Sequence, residues 1–290
     1  MNSRKFLRLT AVTAFMLVGA AGAVLGQEPT ADGLYAGFAT SLGEFWCRLE
    51  FQRVPRTVAN FVSLAEGSRP WVDFAQARIR QAPFYDGVIF HRVIKGFMNQ
   101  SGSRNGRGTD GPGYQFADEF DPQLRHNQAG ILSMANSGAN SNGSQFFVTV
   151  EPTPWLDDKH TIFGEVVSGM EVVNLINQVP TDLTTDKPVT AVTLQRVRIL
   201  RIGAAATAFD PAKVTPALPA VAPVSSQIAL NQGTLLLSYP TQTNWLYHVF
   251  YGPDFHNWSA QTFLDSPINA TGLLSQPHNF FLVLSGGYEP

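Results

Sequence analysis

The sequence predicts a mainly β chain whose principal unit is a closed barrel with capped ends. Two observations point there: strand-like runs between Gly33 and Ile202 are short and numerous, and only two segments among them carry the spacing of an amphipathic helix. A third bounds the class. Hydrophobic residues make up 44% of the 290 residues, enough for an ordinary globular core, so wholesale disorder is excluded.

The elements follow in order. Phe38 to Phe51 mixes β-branched, aromatic and polar residues around Gly43, as a hairpin does. A helix starts near Pro55, whose missing N–H costs nothing in the first turn. Val58, Phe61, Val62 and Ala65 then share one face, and Gly67 terminates it. Ser68 to Ala82 has no clear period and reads as a long loop or a short irregular helix. Phe84–Val93 and Phe146–Val150 are strand candidates. Gly169 to Val179 forms the second short helix, with Val172, Val173 and Ile176 inward. Val189 to Ile202 closes the unit as a strand. Val192 and Leu194 share one parity and Val197 and Ile199 the other, so a bulge near Gln195–Arg196 is expected.

Gly203 to Ser226 is rich in Ala and Pro and reads as a semi-extended linker. Gln227 to Pro290 carries strand-like runs at Thr234–Tyr239, Asn244–Tyr251 and Asn279–Ser285, and is expected to be a small all-β module. It binds a surface, a glycan or a protein partner, or it is a structural appendage. Its string Phe255–Trp258 is weakly similar to a motif of accessory modules in secreted bacterial proteins. No basic residue follows Lys213.

Residues 1–26 read as an export signal: Arg4, Lys5 and Arg8 form a basic start, and Leu9–Val18 is apolar but too short to span a bilayer. Cleavage is expected after Gly26, with Ala23 the second choice, leaving a chain that is periplasmic or extracellular, in a bacterium, with no membrane association. A net charge of −2 gives no electrostatic case for a nucleic-acid partner. The single cysteine, Cys47, allows no intramolecular disulfide and reads as a small core residue. The histidines show no metal-ligand spacing, and neither a metal nor a cofactor is expected.

Two runs concentrate the chemistry: Phe90–Gln100 (FHRVIKGFMNQ) and Gly130–Phe147 (GILSMANSGANSNGSQFF). They place one arginine, several amides and large apolar side chains in short, Gly-punctuated segments. That combination suits a groove that grips an extended peptide, with an apolar well for a ring and a guanidinium beside it. A proline ring with its preceding amide fits.

Both runs closely resemble the signature segments of the cyclophilins, peptidyl-prolyl cis-trans isomerases sensitive to cyclosporin. The string WLDDKH at Trp155–His160 is similar to a third family segment. The resemblance covers Gly33 to Ile202 and implies an eight-stranded antiparallel barrel capped by two helices. It implies that Arg92 is the catalytic arginine, assisted by Phe97, Gln100, Phe147 and His160. Met98, Ala135, Asn136, Gln145, Trp155 and Leu156 are then the substrate-binding residues, Trp155 at the position associated with cyclosporin. Gln145 has a second reading, tying a loop together by its amide. His91 is expected to be a core or hydrogen-bonding residue pointing to the face opposite Arg92. Lys95, Asn99 and Ser101 depart from the family pattern, which bears on substrate preference. The implied substrates are proline-containing unfolded or flexible polypeptides, and the alternative is a non-catalytic proline-peptide-binding chaperone using the same groove.

Overall fold

The computed structural model describes residues 26–231, 234–240, 242, 244–252, 258–264 and 280–289. The expected export signal lies outside the described residues apart from Gly26, and so do the first three residues of the Phe255–Trp258 string.

Strands β1 (Gly33–Thr40) and β2 (Gly43–Leu49) form the expected hairpin. Thr40 holds its turn, its hydroxyl donating to the Gly43 carbonyl at 2.8 Å and accepting from the Leu42 N–H at 3.1 Å. Helix α1 (Pro55–Glu66) begins at proline and ends at Gly67, whose φ of +71° turns its N–H back onto the Leu64 and Ser63 carbonyls.

The next segment departs from the expected loop or irregular helix. Strands β3 (Trp71–Asp73) and β4 (Arg78–Arg80) make a small hairpin in which Val72 pairs with Ile79. The Asp73 carboxylate accepts from the Ala75 and Gln76 N–H groups and closes its turn. Trp71 is buried and donates its indole N–H to Ala82. Three-residue strands are too short to display alternation, so this hairpin left no periodic signal.

The principal sheet continues with β5 (Val88–Ile89), β6 (Arg92–Ile94), β7 (Met98–Ser101), β8 (Ile131–Met134), β9 (Phe146–Thr149) and β10 (Ile162–Ser168). Helix α2 (Met170–Asn177) and β11 (Thr193–Ile202) complete it, with Val172, Val173 and Ile176 buried as expected. All pairings are antiparallel, in the order β5-β11-β1-β2-β10-β8-β9-β7-β6. The sheet is curled and is built of nine pieces. Its two end strands are consecutive in the chain, separated only by Phe90 and His91. The expected bulge is present: Ala39 pairs with Arg196 and Thr40 with Leu194, leaving Gln195 as the extra residue.

The core inside this sheet is aromatic. Phe38 stacks on Phe45 at 4.7 Å, and Phe61 from α1 meets Tyr85 at 5.0 Å and Phe163 at 5.2 Å. Cys47 is fully buried among these side chains, and burial pushes its thiol well above the ordinary range, as suits a core residue.

Residues 203–226, expected as a semi-extended linker, carry regular structure. Helix α3 (Gly203–Ala208) buries Ala206, a short 3-10 turn spans Pro211–Lys213, and β12 (Val221–Val224) joins a second sheet. Pro223 is tolerated because β12 is the edge of that sheet. The second sheet takes in β15 (Trp245–Gly252), β16 (Ser259–Leu264) and β17 (Phe280–Gly287) in the order β12-β17-β15-β16, while β13 (Gln227–Asn231) and β14 (Thr234–Ser238) pair separately. No helix among the described residues is long and apolar enough to cross a membrane.

Candidate active site

The site is built on one row across three strands. The turn at Gly96 brings β6 against β7, so that Arg92 lies opposite Gln100, and β7 in turn places Gln100 opposite Phe147 on β9. Directly opposed residues in an antiparallel sheet share a face, so the three side chains project together. Met98, two residues before Gln100, follows on the same face.

These residues open into a groove of about 420 Å³. Nine of the eleven predicted site residues line it: Arg92, Phe97, Met98, Gln100, Ala135, Asn136, Phe147, Leu156 and His160. Trp155 does not, but it stands at the rim, 58% exposed, with its ring 6.0 Å from that of Phe97. Gln145 lines the neighbouring depression.

Polar contacts fix the orientations. Gln145 donates its amide N–H groups to the carbonyls of Gly108 and Asp110, and its oxygen accepts from Gln100 at 3.0 Å. It therefore ties the loop and also aims the Gln100 amide. The Arg92 guanidinium is 45% exposed and lies 3.4 Å from the Asp186 carboxylate, a contact that leaves its remaining donors to the groove. His160 donates from Nδ1 to the Met134 carbonyl at 2.9 Å, so in the neutral ring Nε2 keeps a free lone pair. The Asn136 side chain reaches the Lys159 carbonyl, while its own peptide N–H and carbonyl take no partner among the described residues.

Below the groove, His126 is fully buried, 2.9 Å from Asp157 Oδ1 and 3.0 Å from the Ser133 hydroxyl. Burial outweighs the Asp157 carboxylate and holds this ring below the ordinary histidine value. The order Ser–His–Asp is that of a hydrolase triad, but Ser133 is itself sealed from solvent and lies 3.1 Å from the Thr161 carbonyl. The His126 ring lies 6.2 Å from Phe147 and nearly parallel to it, which makes it a brace for the apolar wall.

His91 is buried as expected, but its facing is not the expected one. It lines the groove beside Arg92 instead of facing away, because the strand is interrupted at Phe90–His91 and alternation does not carry across the break. Among the described residues neither ring nitrogen meets a partner in full hydrogen-bond geometry, and burial, then the positive charges of Arg92 and Lys187, push it down to about 4 against a weaker upward pull from the Ile89 backbone. Arg107, Gly108 and Thr185 are further lining residues that sequence reasoning missed. The glycines of Asn105–Gly113 were the available signal: Gly106, Gly108 and Gly113 all have positive φ. No cluster of three or more His, Cys, Asp or Glu side chains able to hold a metal ion occurs among the described residues.

Comparison with known proteins agrees with this geometry. The family model described as cyclophilin type peptidyl-prolyl cis-trans isomerase matches residues 35–202. Peptidyl-prolyl cis-trans isomerase B of Streptomyces anulatus is 50% identical over 169 residues, 58% of this chain and 97% of that protein. Peptidyl-prolyl cis-trans isomerase A of Mycobacterium tuberculosis is 45% identical over 162 residues, 55% of this chain and 88% of that protein. Among solved structures, a Cryptosporidium parvum cyclophilin type peptidyl-prolyl cis-trans isomerase superposes with a TM-score of 0.51 at 30% identity, covering 58% of this chain and 98% of that one.

Proposed function

The chain belongs to the cyclophilin-type peptidyl-prolyl cis-trans isomerases, and we propose that it turns X–Pro bonds in exported polypeptides through Arg92. The observation that carries this reading is the row Arg92–Gln100–Phe147 facing one groove.

The reaction breaks no bond. Its barrier, about 18–20 kcal/mol, is the loss of amide resonance, and the uncatalysed exchange takes tens to hundreds of seconds. A catalyst must therefore bind the twisted amide better than either planar form. Phe97, Met98, Phe147 and Leu156 hold the proline ring in a dry well. The unpaired backbone of Asn136, next to Ala135, pairs with the extended peptide as an added strand does. With the ring fixed, the preceding carbonyl rotates. As resonance is lost the imide nitrogen becomes basic, and the Arg92 guanidinium donates to it. Gln100, aimed by Gln145, steadies the same peptide, and His160 bounds the well.

Several finer readings go with this one. The nine sheet pieces form an eight-stranded closed barrel if β5 and β6 are one strand interrupted at Phe90–His91. The bonds Phe90 N–H to Val192 on one side and His91 N–H to Gln100 on the other support that. Residues 227–290, outside the family match, form a small all-β module. The basic start and apolar run of residues 4–18 support export, and with it a role in assisting the folding of exported proteins. The exposed Trp155 ring over Phe97 supports cyclosporin binding.

The test is proline exchange by NMR on an Ala-Pro-Phe peptide. Arg92→Ala is expected to lower kcat/KM by about 10²–10³-fold, as removal of one preorganised donor does. Arg92 is largely solvent-facing, so the variant keeps its fold by circular dichroism. Full activity in a folded Arg92→Ala protein would overturn the mechanism. No catalysis by the parent would favour the binding-only alternative.

A further inference from the structure

We propose that the C-terminal sheet completes the substrate groove, forming with Trp258 a second subsite for an apolar side chain some residues away from the isomerised proline. The proposal rests on the reading of the Arg92 groove as the proline site.

A second depression, of about 840 Å³, adjoins the first and shares Gln100, Arg107, Gly108, Ala135 and Asn136 with it. Its far wall includes Phe74, Leu246, His248, Trp258 and Thr262. All of these but Phe74 lie beyond residue 202, outside the family match. An extended polypeptide seated on Asn136 and leaving the proline well over Gly108 has this depression in its path.

The wall is fixed to the floor of the groove. His248 Nε2 lies 2.9 Å from the Gly113 carbonyl and its Nδ1 2.9 Å from the Thr262 hydroxyl, while the Gln115 N–H donates to Gly287 at 3.1 Å. A carbonyl accepts only, so Nε2 carries the proton and bonds β15 to the loop. A β-carbon at Gly286 would overlap the Gly113 carbonyl oxygen, so only glycine allows this approach of β17. Phe74 meets His248 edge-on at 4.9 Å and Phe250 at 5.8 Å. The module is thus seated where a substrate would run.

The lining chemistry names the occupant. Phe74 and Trp258 offer half-buried aromatic surface. The one acid among the lining residues, Asp110, already accepts from Ser103 at 2.5 Å and from the Asn105 N–H at 2.9 Å. Arg107, on the side shared with the proline groove, is the one basic lining residue, and the far wall carries none, since no lysine or arginine lies beyond Lys213. The subsite therefore takes a leucine-, phenylalanine- or tyrosine-like side chain on an extended chain, each residue of which advances about 3.3–3.6 Å.

The experiment compares the Ala-Pro-Phe core with peptides lengthened by four residues, one of them leucine or phenylalanine, on either end. In the parent protein, lengthening in one direction should lower KM roughly tenfold or more with kcat unchanged, as burial of one such side chain does. In Trp258→Ala the advantage of the long peptide over the short one should largely vanish. Ala260→Trp, on the exposed face of β16, obstructs the groove without removing core volume and should do the same. It keeps the test decisive if Trp258→Ala fails to fold. No gain from lengthening in either direction, or the full gain in both variants, would overturn the proposal. Failure of the proline-site reading would look different: the short core itself would go uncatalysed by the parent.

Discussion

The curled sheet and the C-terminal sheet stand on two sides of one groove but are held together differently. The curled sheet encloses a continuous aromatic core that runs from Leu34 to Ala206 and includes Phe38, Phe61, Phe146 and Phe163. Among the described residues the C-terminal sheet shows only two small apolar clusters. One small cluster is its own, Leu237, Tyr247, Val249 and Val283; the other joins its Phe250 and Leu284 to Val72 and Ala77 of the β3–β4 hairpin. The first unit draws its buried core from within residues 34–206. The second borrows part of its core from the first, so its position over the groove and its stability have one cause.

The largest effect that tests this difference is a cavity at the centre of the curled sheet. Phe61 is fully buried and touches four aromatic rings. Phe61→Ala should cost about 3–5 kcal/mol in urea unfolding. The C-terminal sheet should open with the curled sheet, since its docking surface goes. Protection of β15 and β17 amides surviving the loss of the curled sheet would break the comparison.

Acid should act next, and unequally. His91 has a folded value of about 4, below the ordinary unfolded value of about 6.5. The unfolded chain therefore binds the proton more tightly. The stability from keeping this ring neutral is present above pH 6.5 and is lost as pH falls toward 4, by about 3 kcal/mol for His91 alone. His126 is lowered in the same direction within the barrel, and His248, lowered by burial despite its bond to Gly113, adds the same trend at the seam. Urea unfolding repeated from pH 7 to pH 4 should show the stability of the curled sheet falling, with a shallower slope in His91→Phe. An unchanged slope in that variant would place the acid sensitivity elsewhere.

What could be read in advance divides along physical lines. The two capping helices were legible because apolar residues at three- and four-residue spacing, a proline start and a glycine stop are local signals. The Gln195 bulge was legible from the parity change between Leu194 and Val197 alone. The groove was legible where contiguous strings carry it, as in Arg92–Gln100 and Gln145–Phe147. His91 was misplaced because a strand break cannot be seen in a sequence pattern. Arg107 and Gly108 were missed because a loop brings them in, held by Gln145 from 37 residues away. The wall formed by Leu246 and Trp258 was invisible for the same reason, at greater separation: the His248–Gly113 bond spans 135 residues.

The smallest effect belongs to the seam, and it separates docking from folding most cleanly. The Glu289 carboxylate pairs with Arg56 at the start of α1, and its other oxygen accepts from the Ala117 N–H at 2.8 Å. The Arg56 side chain is only 9% exposed and retains one further partner, the Pro216 carbonyl at 2.9 Å. Glu289→Ala removes a charge-assisted contact of about 1.5–3 kcal/mol and leaves the Ala117 N–H without its acceptor. If the C-terminal sheet opens on its own, hydrogen exchange should quicken roughly tenfold or more in β15 and β17, while the slowest amides of β1 and β2 keep their rates. Those slowest amides exchange through global opening, and they respond only if the two regions unfold as one unit. An equal quickening in β1, β2, β15 and β17 would therefore mean that the C-terminal sheet is part of the curled sheet's own cooperative structure, and the borrowed core would have to be counted as shared.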